Sequence, residues 1–261
     1  MHATERESLI LAAMEPAGFV SYRALEAQLA ASPATIRRDL ARMVEAGLIA
    51  RVHGGAKRVE RNEGAENHPL HLAGTPFDQA ITLHLAQKQA IGRAAAALVT
   101  PGEGIMMDGG TTTFQMCPHL DGLDCQVLTN SLHIVSALLG QPGTRLLVPS
   151  GSVFREQNII LAPAGEDSMP RFHAPKLFMG AAAVGPQGVM QADVILVAAE
   201  RRLIDRAEQV ILLVDSSKFA SSSGAIVCGL DEVDVLVTDA GIPPAMAAMV
   251  KAAGVELVVA G

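Results

Sequence analysis

Two rhythms of apolar residues divide the chain. Over the first sixty or so residues the apolar positions recur at helical spacing: Leu9, Ile10 and Met14, then Leu25 and Leu29, then Ile36, Leu40, Met43 and Val44. Each run carries its own start signal. Thr4 with Glu7 forms a capping-box pair, Ser21 caps the second run, and Ser32-Pro33 opens the third. Serine accepts a hydrogen bond from a first-turn N–H, and proline's missing donor costs nothing at that position. Gly47 can close the third helix in the left-handed conformation. Leu48 to Val52 and Ala56 to Val59 then read as two strands joined through His53-Gly54-Gly55. Three helices followed by a two-stranded wing predict a winged helix-turn-helix domain over residues 1–59.

Further on, short apolar runs alternate with amphipathic ones. Strands are predicted at Gly104 to Met107, Gln126 to Thr129, Arg145 to Val148, Lys176 to Met179, Val210 to Val214, Val233 to Val237 and Glu256 to Val259. Helices are predicted near Lys88 to Leu98, Thr112 to Leu120, Leu132 to Leu139, Val194 to Ala207 and Pro244 to Ala252. This alternation predicts an α/β domain, a mostly parallel sheet covered by helices, over residues 77–261. Between the domains, residues 60–76 hold Asn62, Gly64, Asn67, Pro69, Gly74 and Pro76 with little apolar rhythm, which reads as a linker. A chain of 261 residues has room for both cores.

Charge changes the picture in one place. The whole chain carries a formal charge of −7, yet from Ser32 to Arg58 six basic residues stand against Asp39 and Glu45. Such a local patch is what releases counterions from a phosphate backbone. The third helix offers Ser32, Ala34, Thr35, Arg37, Arg38 and Arg42, and the wing adds Arg51, His53, Lys57 and Arg58. An arginine here can pair bidentately with guanine, and Thr35 can meet a thymine methyl or a phosphate; the sequence leaves open which contacts read bases. Asp39 is expected to orient an arginine and not to touch DNA.

In the second domain, four predicted strand ends carry polar loops, and open parallel sheets bind ligands at those ends. Asp108-Gly109-Gly110-Thr111-Thr112-Thr113 combines close backbone approach with hydroxyl and N–H donors suited to an anion, and Asp108 can accept from sugar hydroxyls. Thr129-Asn130-Ser131, Ser150-Gly151-Ser152 and Asp215-Ser216-Ser217-Lys218 follow later strands, with Lys218 available as a point charge for phosphate. Ordinary helix capping is the competing reading for Thr112, Asn130 and Ser131.

These residues resemble the DeoR family of bacterial sugar-metabolism regulators. The likeness runs through Arg6 and Ile10, Val20-Ser21, Thr35 to Leu40, Gly47-Leu48-Ile49 and Arg51-Val52-His53-Gly54-Gly55-Ala56, in the family's order and spacing. It implies an effector domain that resembles ribose-5-phosphate isomerase and binds a phosphorylated sugar, with Asp108, Gly110, Thr111, Thr112, Thr129, Asn130, Ser131, Gly151 and Lys218 lining the pocket. It also implies double-stranded operator DNA as partner and a homo-oligomer, a dimer or tetramer. One departure stands out: Ser150 replaces the first of two glycines usual after the third strand. Gly109 to Met116, Gln157 to Pro163 and Gly188 to Asp193 look like the branch containing rhizobial regulators of L-rhamnose catabolism, with ascorbate-utilisation repressors more distant.

The rival reading is a sugar-phosphate isomerase, for which Asp108, Asp193, Glu200, Asp205 and Lys218 are the candidate acid, base and enediolate groups. No match to the glycine-rich lysine loop of ribose-5-phosphate isomerases is present, and a plain enzyme would leave the DNA-reading module idle. A structural DNA-binding protein whose second domain serves only assembly is a third reading. Cys117, Cys125 and Cys228 lack zinc spacing and read as small core residues. His68 and His71 read as solvated linker residues, so neither metal nor cofactor is expected. The N-terminus lacks the charged start and apolar core of a signal peptide, and no run is long enough to span a membrane, which predicts a cytoplasmic protein.

Overall fold

Helix α1 (Pro33–Glu45) forms where the serine-proline start predicted it, and Ile36, Leu40 and Met43 form its buried stripe. They pack with Ile10, Val20, Leu25, Leu29 and Ile49 in a small core of their own. Val44 departs from the expected stripe: it is 36% exposed, because a helix step of 100° carries it past the edge of the apolar face. The computed structural model describes residues 6, 9–10, 13, 19–21, 24–25, 28–29, 31, 33–45, 49–52, 55–58, 77–161 and 169–261. Ser32, Gly47, Leu48, His53, Val59 and the predicted linker lie outside the described residues, as do the side chains of Ala34, Arg37, Arg51, Lys57 and Arg58.

The wing carries one more strand than the sequence pattern suggested. Besides β2 (Ile49–Val52) and β3 (Gly55–Arg58), β1 (Phe19–Ser21) pairs antiparallel with β3, giving the order β1-β3-β2. Three residues are too few for a period-2 signal, so only pairing reveals that strand. Contacts divide the chain into two compact units, Met1–Asn67 and His68–Gly261.

The second unit is built on a seven-stranded parallel sheet. Its strands are β4 (Gly104–Met107), β5 (Gln126–Thr129), β6 (Arg145–Leu147), β9 (Ala174–Met179), β12 (Ala207–Leu213), β14 (Val235–Asp239) and β15 (Glu256–Ala260), in the order β15-β14-β12-β9-β4-β5-β6. Alternate residues of the central strands face opposite cores. Met106, Leu128, Leu177, Met179, Leu212 and Leu236 enter one, while Ile105, Met107, Val127, Phe178, Ile211, Leu213, Val235 and Val237 enter the other. Burial on both faces explains why these strands read as unbroken apolar runs.

Helices α3 (Leu85–Ala96) and α4 (Leu132–Leu138) lend Ile91, Ala95, Ala96, Ile134 and Leu138 to the second core. Helices α5 (Val194–Ile204) and α6 (Pro244–Ala252) lend Leu203, Ile204 and Val250 to the first. α2 (Phe77–Ala80) is a single turn ahead of α3. The helix predicted at Thr112 to Leu120 is instead a 3₁₀ run, Thr113–His119. Pro118 inside it lacks an N–H and would clash with an α-helical carbonyl four residues back. At Gly92 a Cβ would stand 2.5 Å from the backbone carbon of Gln115, so glycine is what allows α3 to lie against that run.

Two small antiparallel elements escaped the sequence reading. β7 (Ser152–Phe154) and β8 (Ile159–Leu161) form a hairpin, and β10 (Ala183–Gly185), β11 (Gly188–Gln191) and β13 (Ala225–Cys228) form a three-stranded sheet. Among the described residues no helix is long and apolar enough to cross a membrane.

Candidate functional site

Chain direction decides where the sheet opens. From β4 the chain winds outward through β5 to the edge strand β6; it then returns to β9 on the other side of β4 and winds outward through β12, β14 and β15. The connections after β4 and β9 therefore diverge, and a crevice forms beyond their carboxyl ends. A cavity of about 330 Å³ lies there. Residues following β4, β5, β9 and β12 line it, and a hydrogen bond across the switch point runs from the Gly180 N–H to Asp108 Oδ2 at 2.7 Å.

Asp108 organises the loop after β4. Its Oδ1 accepts from the Gly110 N–H at 2.9 Å and from Thr113 Oγ1 at 2.7 Å. Burial pushes the Asp108 carboxyl up, against the pull of its bonds from Gly180, Gly110 and Thr113. The expected role of Asp108 as a sugar acceptor thus shares its oxygens with a structural one. Gly109 has a steric reason: a Cβ there would meet Ile159 Cγ2 at 2.5 Å, where the β7–β8 hairpin folds over the site. That hairpin is held by the Ile160 N–H donating to the Asn130 carbonyl at 2.7 Å and the Leu132 N–H donating to the Asn158 carbonyl at 2.9 Å.

Of the predicted effector residues, Asp108, Gly109, Gly110, Thr111, Thr112, Asn130 and Lys218 line the cavity. Five others do not. Thr113 is spent on Asp108, Thr129 Oγ1 accepts from the Ser131 N–H at 3.1 Å, and Ser131 caps α4 by accepting from the Ile134 N–H. Ser150 and Gly151 are exposed and follow β6, the edge strand, so the order of strands carries them away from the switch point. The capping alternative therefore holds for Ser131 and not for Asn130.

Several lining residues lie outside the predicted effector set, among them Glu200, expected only under the isomerase reading. Lys88 on α3 is 3% exposed and donates to the Ala80 carbonyl at 2.6 Å. Burial lowers its pKa and the Lys218 charge adds to that, while Asp215 opposes both. Glu200 on α5, Gln191 at the end of β11, and Gln157 and Ile159 of the hairpin complete the wall. Lys88 lies on a predicted amphipathic helix, and only its burial among polar groups marks it out. Cys117, Cys125 and Cys228 are buried, and burial pushes the thiols of Cys117 and Cys228 up to about 12. Among the described residues no cluster of His, Cys, Asp and Glu is arranged to hold a metal ion.

In the first unit the candidate nucleic-acid face is α1. Arg38 is exposed and Thr35 half-buried. Asp39, 2% exposed, is the organiser here: Arg6 Nε lies 2.6 Å from its Oδ2 and Arg42 Nη2 lies 2.9 Å from its Oδ1. The hydrogen bond from Arg6, aided by the charges of Arg6 and Arg42, holds the Asp39 carboxyl below the usual range despite its burial. Arg42, expected among the DNA contacts, thus spends one nitrogen on an internal ion pair.

Comparison with known proteins decides the family. The model of the DeoR C terminal sensor domain matches residues 83–240, and that of the DeoR-like helix-turn-helix domain matches residues 6–62. The chain belongs to the DeoR family. As a DeoR-family protein it joins a helix-turn-helix module to a sensor domain. It is 29% identical, over 99% of its length and 94% of the other's, to a protein of Escherichia coli O157:H7 named as an aga operon transcriptional repressor. The HTH-type transcriptional regulator UlaR of Escherichia coli K12 is 28% identical over 98% of this chain and 99% of its own. These DeoR-type relatives are regulators, not enzymes. Ribose 5-phosphate isomerase A of Methanocaldococcus jannaschii overlays with a TM-score of 0.37 at 15% identity, over 51% of this chain and 53% of that one, which is too low to carry an argument.

Proposed function

We propose that this DeoR-family regulator represses a carbohydrate catabolic operon and that a phosphorylated sugar, bound at the switch point of its sheet, controls its grip on DNA. The observation that carries the reading is that Lys88, Lys218 and the Gly109-Gly110-Thr111-Thr112 loop all line one cavity. Two cations and a loop rich in N–H and hydroxyl donors around the same cavity suit a phosphate. Asn130, Gln157 and Gln191 add hydrogen-bonding groups for a sugar, and the volume matches a small metabolite. Relatives named as an aga operon repressor and a transcriptional regulator support the repressor assignment.

In this scheme residues 1–59 bind operator DNA through α1 and the wing, residues 60–76 link the units, and residues 77–261 bind the effector and form a dimer or tetramer in the cytoplasm. Arg37 and Arg38 face the duplex, and Thr35 assists. Ligand binding shifts the population between arrangements that do and do not match the operator's half-site spacing. A gel-shift assay with DNA from upstream of the operon holding its gene, with and without pentose and hexose phosphates, tests the scheme. A retained band that one sugar phosphate releases is the expected result; a band indifferent to all of them overturns ligand control.

A further inference from the structure

Three buried oxygens on the wall of this cavity lack a hydrogen-bond partner among the described residues: Asn130 Oδ1, Glu200 Oε2 and Asp215 Oδ2. Native proteins rarely leave such atoms unpaired, and a cluster of them around one cavity marks groups kept for a ligand. Their surroundings differ. Asp215 lies in the field of Lys88, which also feels Lys218, so these three gather where the loop after β12 meets the first turn of α3. Glu200 answers instead to Asp108, and its Oε1 accepts from Gln191 Nε2 at 2.6 Å. Its Oε2 is the unpaired oxygen of a carboxyl that is only 8% exposed.

We propose that Glu200 is a specificity-determining residue of the sensor cavity, its Oε2 forming the hydrogen bond that separates a hydroxylated carbon chain from a bare phosphate. The inference rests on the cavity being the effector site proposed above. With the phosphate drawn to Lys88 and Lys218, the carbon chain extends toward α5, where Glu200 waits beside Gln191. Burial, reinforced by the neighbouring charge of Asp108, raises the Glu200 carboxyl well above its ordinary value, which favours the neutral acid. In that form it both donates and accepts, and it does not repel an anionic guest.

The same burial carries a stability cost. A carboxyl whose folded pKa is raised binds its proton more tightly in the folded state, so folding stability falls as pH climbs from the unfolded value to the folded one. Removing the ionisable group therefore relieves the protein of a penalty at neutral pH. A residue present merely to hold the fold together would show the opposite.

Thermal denaturation of the full chain, as wild type, E200Q and E200M, tests this without additions, with inorganic phosphate, with glycerol phosphate and with pentose and hexose phosphates. At least one sugar phosphate is expected to raise the wild-type midpoint further than inorganic phosphate does. E200M should keep the shift given by phosphate but lose about tenfold or more of the affinity for that sugar phosphate, the scale of one hydrogen bond in a buried site. E200Q, neutral and still able to donate and accept, should stay within about threefold of wild type. Without ligand both variants should melt at or above the wild-type midpoint.

Full sugar discrimination in E200M, or ligand-free midpoints lowered in both variants, overturns the assignment. Loss of discrimination in E200Q overturns the neutral-acid role. If inorganic phosphate stabilises the wild type as well as every sugar phosphate does, Glu200 reads nothing and the cation site stands alone. Indifference of the wild type to every anion, phosphate included, overturns the effector reading itself.

Discussion

The two units of this protein each place a buried aspartate at the centre of their charged residues, and they use it in opposite ways. In the helix-turn-helix unit Asp39 is bound by Arg6 and Arg42, which settles its charge and leaves Arg38 exposed on the outer face of α1. In the sensor unit Asp108 is held by backbone N–H groups and a threonine, and among the described residues no cation pairs with it, while Glu200 and Asp215 each keep an unpaired oxygen. A surface that grips a polyanion needs charge in water and a rigid base under it. A cavity that reads a small metabolite needs charges and dipoles already out of water, at a standing cost in stability.

Removing the base should produce the largest effect. Asp39→Ala leaves Arg6 and Arg42 without their shared partner and should cost the first unit roughly 3 kcal/mol or more. Denaturant titration read by hydrogen exchange on α1 checks this, with exchange from β4, β9 and β12 unchanged. The pH dependence has a definite sign. Because the folded Asp39 carboxyl sits below its ordinary value of 3.8, its contribution is fully present above that value and disappears as pH falls through the lower folded one. A first unit whose stability is flat through that acid range would break the comparison.

Next in size is Lys218→Ala. Loss of one charged phosphate contact should weaken sugar phosphate binding by about 1.5–3 kcal/mol while leaving ligand-free DNA binding intact. Isothermal titration and a gel shift on the same preparation separate the two. Arg38→Ala is its counterpart and should cost about 1–3 kcal/mol of operator affinity with no change in ligand binding. If Arg38 reads a base, preference at one position relaxes; if it holds phosphate, all sequences weaken alike and the salt slope shrinks by about one. Val44→Ala should be the mildest, within about 0.5 kcal/mol in a thermal melt, because its side chain is already 36% exposed.

Much of the fold was readable in order of sequence because its signals are local. The serine-proline start of α1, the unbroken apolar runs of β4, β5, β9 and β12, and the polar loops behind them each fall within a few consecutive residues. β1 and the β7–β8 hairpin have strands of three residues, too short for a period to detect, and the partner of β1 lies far along the chain. Pro118 was visible, yet the apolar spacing around it outweighed its effect in the reading, and the 3₁₀ run took the place of a helix.

Strand order decided the site. Nothing in the sequence ranks the loop after β6 below the loops after β4 and β5, since all three are short, polar and glycine- or serine-bearing. Putting β6 at the edge removed Ser150 and Gly151 from the cavity, and putting β9 beside β4 brought in Gly180. Lys88 and Glu200 lie on helices, and the packing of those helices brings them to the cavity. The sequence by itself determined the two modules, the cationic helix and the α/β class, since hydrophobic period, capping and local charge act over a few residues. The tertiary structure alone decided which polar groups share the cavity and which of them go unpaired, because burial and hydrogen-bond partnership depend on neighbours that the chain supplies from afar.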